Sequence, residues 1–484
     1  MQQTTPLPGH RPHLRTTVDL NLGDAGEVTL SDGSVALVRL LGMESQTDSL
    51  RGAVRRARVD VQVNGETASL ISAAYHLPIT VGGVQIDCPV VAPLLRKRWT
   101  DEPWSLEHDV RLRFWPANSP WITPGTFRYP AVQRWFATDT QMCNEPCFVG
   151  GAEYVGTERV YYHDGLDIGG SEGDTEVIAS GDGIVVCAGD DFDETGRAEF
   201  ELQPRYDRVH FVDDRNWVHL YSHLKEIDPA VRVGAHVKQG QRIGLLGKEG
   251  SSGGWAHLHF GIKCMQPSGR LGQEFGYAFL WQAYLAEHTP DIIAVARPHQ
   301  LVRTGEQVVL DASRSWCRDS AGIATCEWRF CDGNVAVGKT VERCYDTPGI
   351  YSEIVTARDQ AGNESVDFAV IQVLSDYAPD RFPPGIHVAY HPTFGITPGM
   401  PVRFRARSFH APQGQEHWDF GDGTARASVK SVPYGPKADG KHAPDGYAVV
   451  EHAYEHPGNY IATVERTGPN GLRSIARVYV TVVG

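Results

Sequence analysis

The chain has 484 residues, a length that predicts about three domains, and its 41% apolar and 21% charged residues are ordinary for globular proteins. Its 51 glycines and 30 prolines favour turn-rich β structure over helical bundles. The net charge is −14, and residues 151–290 hold 22 acidic against 12 basic side chains. Nothing forms the basic footprint that nucleic acids or anionic membranes require, so neither is expected as a partner.

No window approaches 18 consecutive apolar residues, so no transmembrane segment is expected. The opening Met1-Gln2-Gln3-Thr4-Thr5-Pro6 has neither the basic nor the apolar region of a signal peptide. That leaves a cytosolic protein or the mature form of an exported one. The cysteines argue for export. Cys317 and Cys326, then Cys331 and Cys344, are not spaced as paired zinc-ribbon knuckles, and Cys143 and Cys147 form a close pair. Disulfides in a secreted or periplasmic protein are expected, with at least one of the nine thiols left over.

In chain order, residues 1–15 read as a loose polar arm. From Thr17 to about Arg113 apolar residues alternate, as in Ala57-Arg58-Val59-Asp60-Val61-Gln62-Val63, and Asn64-Gly65 marks a hairpin turn. Residues 114–150 are rich in Pro, Trp and Phe and read as a connecting wrap. Residues 1–150 are therefore expected to be a β-rich accessory region without recognisable chemistry. From 151 to about 265 short strands alternate with Gly-rich turns. Tyr277, Leu280, Trp281, Tyr284 and Leu285 then recur at helical spacing, with Pro290 beyond them. This second domain is placed at 151–292.

Two further β segments, 293–375 and 386–484, flank a short, stiff, Pro-rich linker. They share a repeat. Glu327-Trp328-Arg329-Phe330-Cys331-Asp332-Gly333 echoes His417-Trp418-Asp419-Phe420-Gly421-Asp422-Gly423, and Tyr345 to Tyr351 echoes Tyr454 to Tyr460. Both copies resemble polycystic-kidney-disease (PKD) domains, which implies immunoglobulin-like β-sandwiches acting as spacers or as surface-binding modules. The first copy departs from the pattern at Cys331, where local cross-linking is expected.

The chemistry concentrates in the second domain. His257-Leu258-His259 lies in an apolar run that reads as a strand, which projects both imidazoles from one face. Trp217 to Leu224 reads as another, with His219, Tyr221 and His223 on one face. His163-Asp164-Gly165-Leu166-Asp167 offers an imidazole and a carboxylate four residues apart. Two or three histidines, one carboxylate and an open water position make up a catalytic zinc site.

His-x3-Asp, Tyr-x-His-Leu and His-Leu-His-Phe, in this order, resemble the lysostaphin/LytM-type zinc endopeptidases of peptidase family M23. The similarity extends through Gly173–Gly183 and Val233–Gly244 and covers roughly residues 155–265. It implies a mainly β multidomain protein built around an antiparallel peptidase sheet. It also implies one Zn2+ per chain bound by His163, Asp167 and His259, with His223 and His257 in the two non-ligand catalytic positions. A neutral His257 would act as general base and His223 would donate to the oxyanion, with the assignment of the base left open between them. The implied substrate is a peptide bond in peptidoglycan or a Gly-rich peptide. A non-catalytic wall-binding or regulatory protein on the same scaffold is the alternative.

Several features stand apart from this resemblance. Residues 187–208 look like an acidic insertion, His219 reads as a histidine lining the groove, and Trp255 places a bulky ring near the metal. His452-Ala453-Tyr454-Glu455-His456 spells an inverted zincin motif, but Pro457-Gly458 follows at once and denies it the helix that chemistry needs.

Overall fold

A computed structural model of the chain describes residues 11–96, 103–146, 162–375, 382–433, 435, 441–442 and 444–484. It is built almost entirely from strands, as the turn-rich composition leads one to expect. No helix among the described residues is long and apolar enough to cross a membrane.

The N-terminal region is two four-stranded sheets. In the strand Val35–Thr47, Ala36, Val38 and Leu40 are buried and alternate with exposed neighbours. They pack with Ile86, Leu112 and Phe114 of the other sheet in one core. The hairpin at Asn64-Gly65 forms as expected. Both residues take positive φ, 50° and 88°, the geometry that matches strand twist in two-residue turns.

The arm is not loose where it is described. Arg11 bonds Asp214 at 2.7 Å, Arg15 bonds Glu274 at 2.6 Å, and His13 stacks on Trp217. Residues 1–10 lie outside the described residues.

The central sheet is antiparallel and runs Asp191–Phe192, Gly183–Ala188, Val209–Asp213, Val218–Ser222, His257–Met265, Leu166–Gly169 and Thr140–Gln141. The last of these comes from the Pro- and Trp-rich connector, which extends the sheet rather than merely crossing it. Trp135 and Tyr129 of the connector pack on Tyr284 of the helix Tyr277–His288. That helix was expected to show one apolar face, but Tyr277 through Trp281 are buried without a break. Connector and sheet together enclose it.

The two C-terminal segments repeat each other in structure. Trp328 and Trp418 are both fully buried. Tyr351 donates to the carbonyl of Thr347 at 2.8 Å, and Tyr460 makes the same bond to His456 at 2.9 Å. Their sheets join where Gly349 and Ile350 pair in parallel with Arg473 and Ser474. Residues 376–381 of the expected linker lie outside the described residues.

The expected disulfides do not appear among the described residues. Cys326 points into a sandwich core and Cys344 is exposed. Cys331 donates to the carbonyl of Ser352 at 3.5 Å, so the expected cross-link there is replaced by a hydrogen bond. Cys147 lies outside the described residues.

One buried ionic group ties the N-terminal sheets to the central domain. Arg113 is fully buried and pairs with Asp87 and Glu274, and it also donates to the carbonyl of Phe275 at 2.8 Å. Burial alone would raise the Glu274 carboxyl, but Arg15 and Arg113 outweigh it and hold the pKa down to about 2. Removing one partner of such a group strands charge in the interior. Arg113→Met is expected to destabilise the protein by about 3–5 kcal/mol, read as an earlier thermal unfolding transition.

Candidate metal centre and active site

The centre rests on two neighbouring antiparallel strands, Leu166–Gly169 and His257–Met265. Their register sets Asp167 opposite His259 and Gly169 opposite His257, so Asp167, His257 and His259 share one face. His163 arrives from the turn that leads into the first strand. Gly165 makes that turn at φ +82°, where a Cβ would lie 2.8 Å from the Phe260 carbonyl and 3.0 Å from Nε2 of His259. Only glycine permits so close an approach.

His163 Nε2 and His259 Nδ1 each lie 2.9 Å from Asp167 Oδ1 and 3.2 Å from each other. Tetrahedral ligands about 2.0–2.1 Å from a zinc ion stand roughly 3.4 Å apart, close to this spacing. Two imidazoles and a carboxylate also suit zinc chemically. Among the described residues this is the one group of three or more side chains able to hold a metal ion. Burial would raise the Asp167 carboxyl, but the charge of His163 and the hydrogen bonds from His163 and His259 hold it well below the usual carboxylate range. The ligand is therefore ready to bind without first losing a proton.

His257 lies beside this group, with Nε2 3.2 Å from Asp167 Oδ2. Its Nδ1 donates to the carbonyl of Trp255 at 3.1 Å, and the Trp255 ring stacks on the imidazole at 3.9 Å. Burial holds the His257 pKa well below 6.5. The ring is neutral at pH 7 and presents a lone pair at Nε2. The bulky ring expected near the metal is therefore in contact with His257.

His223 reaches the site by breaking its strand. Tyr221 pairs with Phe260 and Ser222 with His259, so a regular strand would turn His223 toward Phe260 and away from the metal face. Instead His223 takes φ +69°, and its ring stands 4.6 Å from that of His257. The backbone N–H of His223 donates to Asp207 at 2.8 Å, and Nδ1 donates to the carbonyl of Glu249 at 2.6 Å. Asp207 is held below the usual range despite burial, by hydrogen bonds from His223 and Arg205.

The expectation that His219, Tyr221 and His223 share a face is thereby corrected. His219 does not line the groove either. It is fully buried, stacked on Phe211 at 4.5 Å and bonded to Ser180 and Asp213. The motif around His452 is no metal site. His452 lies on the strand Ala448–Ala453 and bonds Asp422 at 2.6 Å.

Sequence reasoning missed Asp207 and the Glu249 carbonyl. Asp207 is one acid among many in the insertion, and a backbone carbonyl leaves no trace in residue type. The insertion itself is anchored by Phe200 and Leu202, which pack on Val186, Val212 and Val218.

Residues 161–269 match the profile of Peptidase family M23. This segment is an M23-family domain. Residues 288–373 match the PKD domain profile. Among solved structures, two crystal forms of Helicobacter pylori Csd3 are similar at 12% identity. The orthorhombic form covers 55% of this chain and 82% of its own at a TM-score of 0.22. The hexagonal form covers 52% and 73% at 0.21. A Bacteroides ovatus protein, SGBP-B of a mixed-linkage glucan utilization locus, solved with a mixed-linkage heptasaccharide, is 13% identical. It covers 40% of this chain and 48% of its own at 0.15. TM-scores this low carry no argument about activity.

In the M23 domain, Gly165→Ala forces a side chain into the ligand set while leaving every donor in place. It is expected to weaken metal binding at this group about 10- to 100-fold, the range seen when ligand orientation is disturbed, measured by competition with a chromophoric chelator.

Proposed function

We propose that the chain is an exported, zinc-dependent endopeptidase that hydrolyses peptide bonds in peptidoglycan cross-links or Gly-rich peptides. One Zn2+ per chain would be held by His163, Asp167 and His259. The observation that carries this reading is the convergence of three donor atoms within 3.2 Å of one another beside the imidazoles of His257 and His223, whose rings stand 4.6 Å apart. Membership of the segment in family M23 supports it. Export follows from the substrate, because cell-wall peptides lie outside the cytoplasm. The PKD-like modules would serve as spacers or bind the substrate's surface.

When bound, zinc supplies Lewis acidity and lowers the pKa of water at the site to about 7. The chain's own groups do the rest. His257 and His223 each spend Nδ1–H on a backbone carbonyl, so in the neutral state neither can donate from Nε2. One ring must accept a proton from the attacking water before either can stabilise an oxyanion. With the rings 4.6 Å apart, that proton has two neighbouring places to reside. The Asp207 carboxylate, 3.6 Å from Nδ1 of His223, favours the imidazolium there. His257 accepts the water's proton and passes it to His223, whose imidazolium then donates from Nε2 to the oxyanion, and that same proton is finally delivered to the leaving amine.

Zinc titration is expected to saturate at one ion per chain, and chelation to abolish cleavage of purified peptidoglycan. Asp167→Ala should lose the metal. His257→Ala should keep it while kcat falls about 10²- to 10⁴-fold, the usual contribution of a general base. Fully zinc-loaded protein that cleaves neither peptidoglycan nor Gly-rich peptides overturns the proposal and leaves the non-catalytic reading.

The acidic surplus of residues 151–290 supports a substrate preference. Asp191, Glu194 and Glu199 are exposed in the insertion, whereas Asp190 and Glu201 are paired with Lys441 and Lys263. Cationic and neutral peptides should be cleaved in preference to matched acidic ones, with the ratio shrinking as salt screens the field. Equal rates at low salt would refute this preference.

A further inference from the structure

Nδ1 of His257 is held by the backbone carbonyl of Trp255, whose ring also stacks on the imidazole. The residues on either side of this carbonyl are held by the C-terminal β segment, outside the stretch that matches M23. Arg407 donates to the carbonyl of Gly254 at 2.8 Å. The Tyr447 hydroxyl accepts the N–H of Ala256 at 2.7 Å and is hydrogen-bonded to Nδ1 of His387 at 2.7 Å. His387 in turn meets the Trp255 ring edge-on at 5.1 Å.

These three residues form a row across one sheet. His387 stands opposite Arg407 on paired strands. Tyr447 immediately precedes the strand Ala448–Ala453, whose Ala448 stands opposite Ala406. Arg407 and His387 are buried, and Tyr447 packs against the central core. Ordering a guanidinium, a phenol and an imidazole against one short peptide stretch costs conformational freedom. That stretch ends at His257.

We propose that the C-terminal module belongs to the catalytic apparatus, with Arg407 and Tyr447 acting as positioning residues that fix the Trp255 carbonyl and through it the tautomer and aim of His257. This inference rests on the reading of His257 as the base. The metal ligands do not depend on the module in the same way, because Asp167 and His259 are set by the register of their own strands. Loss of the row should therefore separate metal binding from turnover.

The test is Tyr447→Phe in the full-length, zinc-loaded protein, which keeps the ring and removes the hydroxyl. Its kcat is expected to fall about three- to tenfold, the scale of one or two lost hydrogen bonds. KM and zinc stoichiometry should be unchanged. In ¹⁵N-imidazole spectra, His257, assigned by difference from His257→Gln, should pass from a single Nδ1-protonated tautomer to a mixture. Arg407→Lys is the second variant, since it keeps the charge and withdraws the guanidinium fork from Gly254. Unchanged turnover, or an unchanged His257 spectrum, overturns the proposal. A rise in kcat overturns it too, because the module would then obstruct the site. If the wild type cleaves no peptide, that failure belongs to the peptidase reading, and the spectrum alone decides here.

Discussion

The pairing of Asp167 with His259 across two antiparallel strands is the constraint on which the site depends. On the opposite face of the same strand, Leu258 and Phe260 enter the central core and are almost wholly buried. Because side chains alternate, burying those two fixes which way His257 and His259 point. A slip of one residue would place both imidazoles in the core and both apolar groups at the metal face. The hydrophobic effect that orders the core thereby also orders the ligands. Gly165 completes the arrangement by letting the preceding turn press against the same strand.

Strand alternation does not deliver His223. It is brought to the site by a left-handed residue between two strands, stabilised by Asp207 on its N–H and by Glu249 on its ring. A histidine in this conformation is uncommon, and here the local cost is offset by two hydrogen bonds in a buried setting. The result is a pair of imidazoles with the same tautomer. Each is locked by a backbone carbonyl, and neither can serve as a donor until one proton is added. A backbone deviation of one residue sets the proton inventory of the site.

The modules of the chain are joined by more than linkers. Arg113 links the N-terminal sheets to Glu274 beside the helix of the central domain, and the connector adds a strand to the central sheet. The two C-terminal sandwiches share a sheet edge. Through Arg407 and Tyr447 the second sandwich reaches the peptide that carries His257. Contacts of this kind make the accessory parts determinants of the site's geometry, while the ligands themselves remain a property of the central sheet.

The residues that meet at the candidate metal centre were legible in the amino-acid sequence because their chemistry is local. His163 and Asp167 lie four positions apart across one turn, His257 and His259 lie within one strand, and alternation needs no knowledge of the rest of the chain. The Asn64-Gly65 hairpin and the repeated Trp and Tyr positions of the sandwiches were legible for the same reason. No disulfide forms among the described thiols, and spacing along the chain carries no information about which thiols face a core, as Cys326 does. His219 was misread because strand alternation gives the face a residue shares but not what covers that face. The orientation of His223 required a backbone angle, and the grip of Arg407 and Tyr447 on residues 254–256 spans about 150 to 190 positions of chain. Local periodicity and residue chemistry determined what the site is made of. Only tertiary packing, which brings distant backbone groups within hydrogen-bond reach, decided how the imidazoles of His223 and His257 are held.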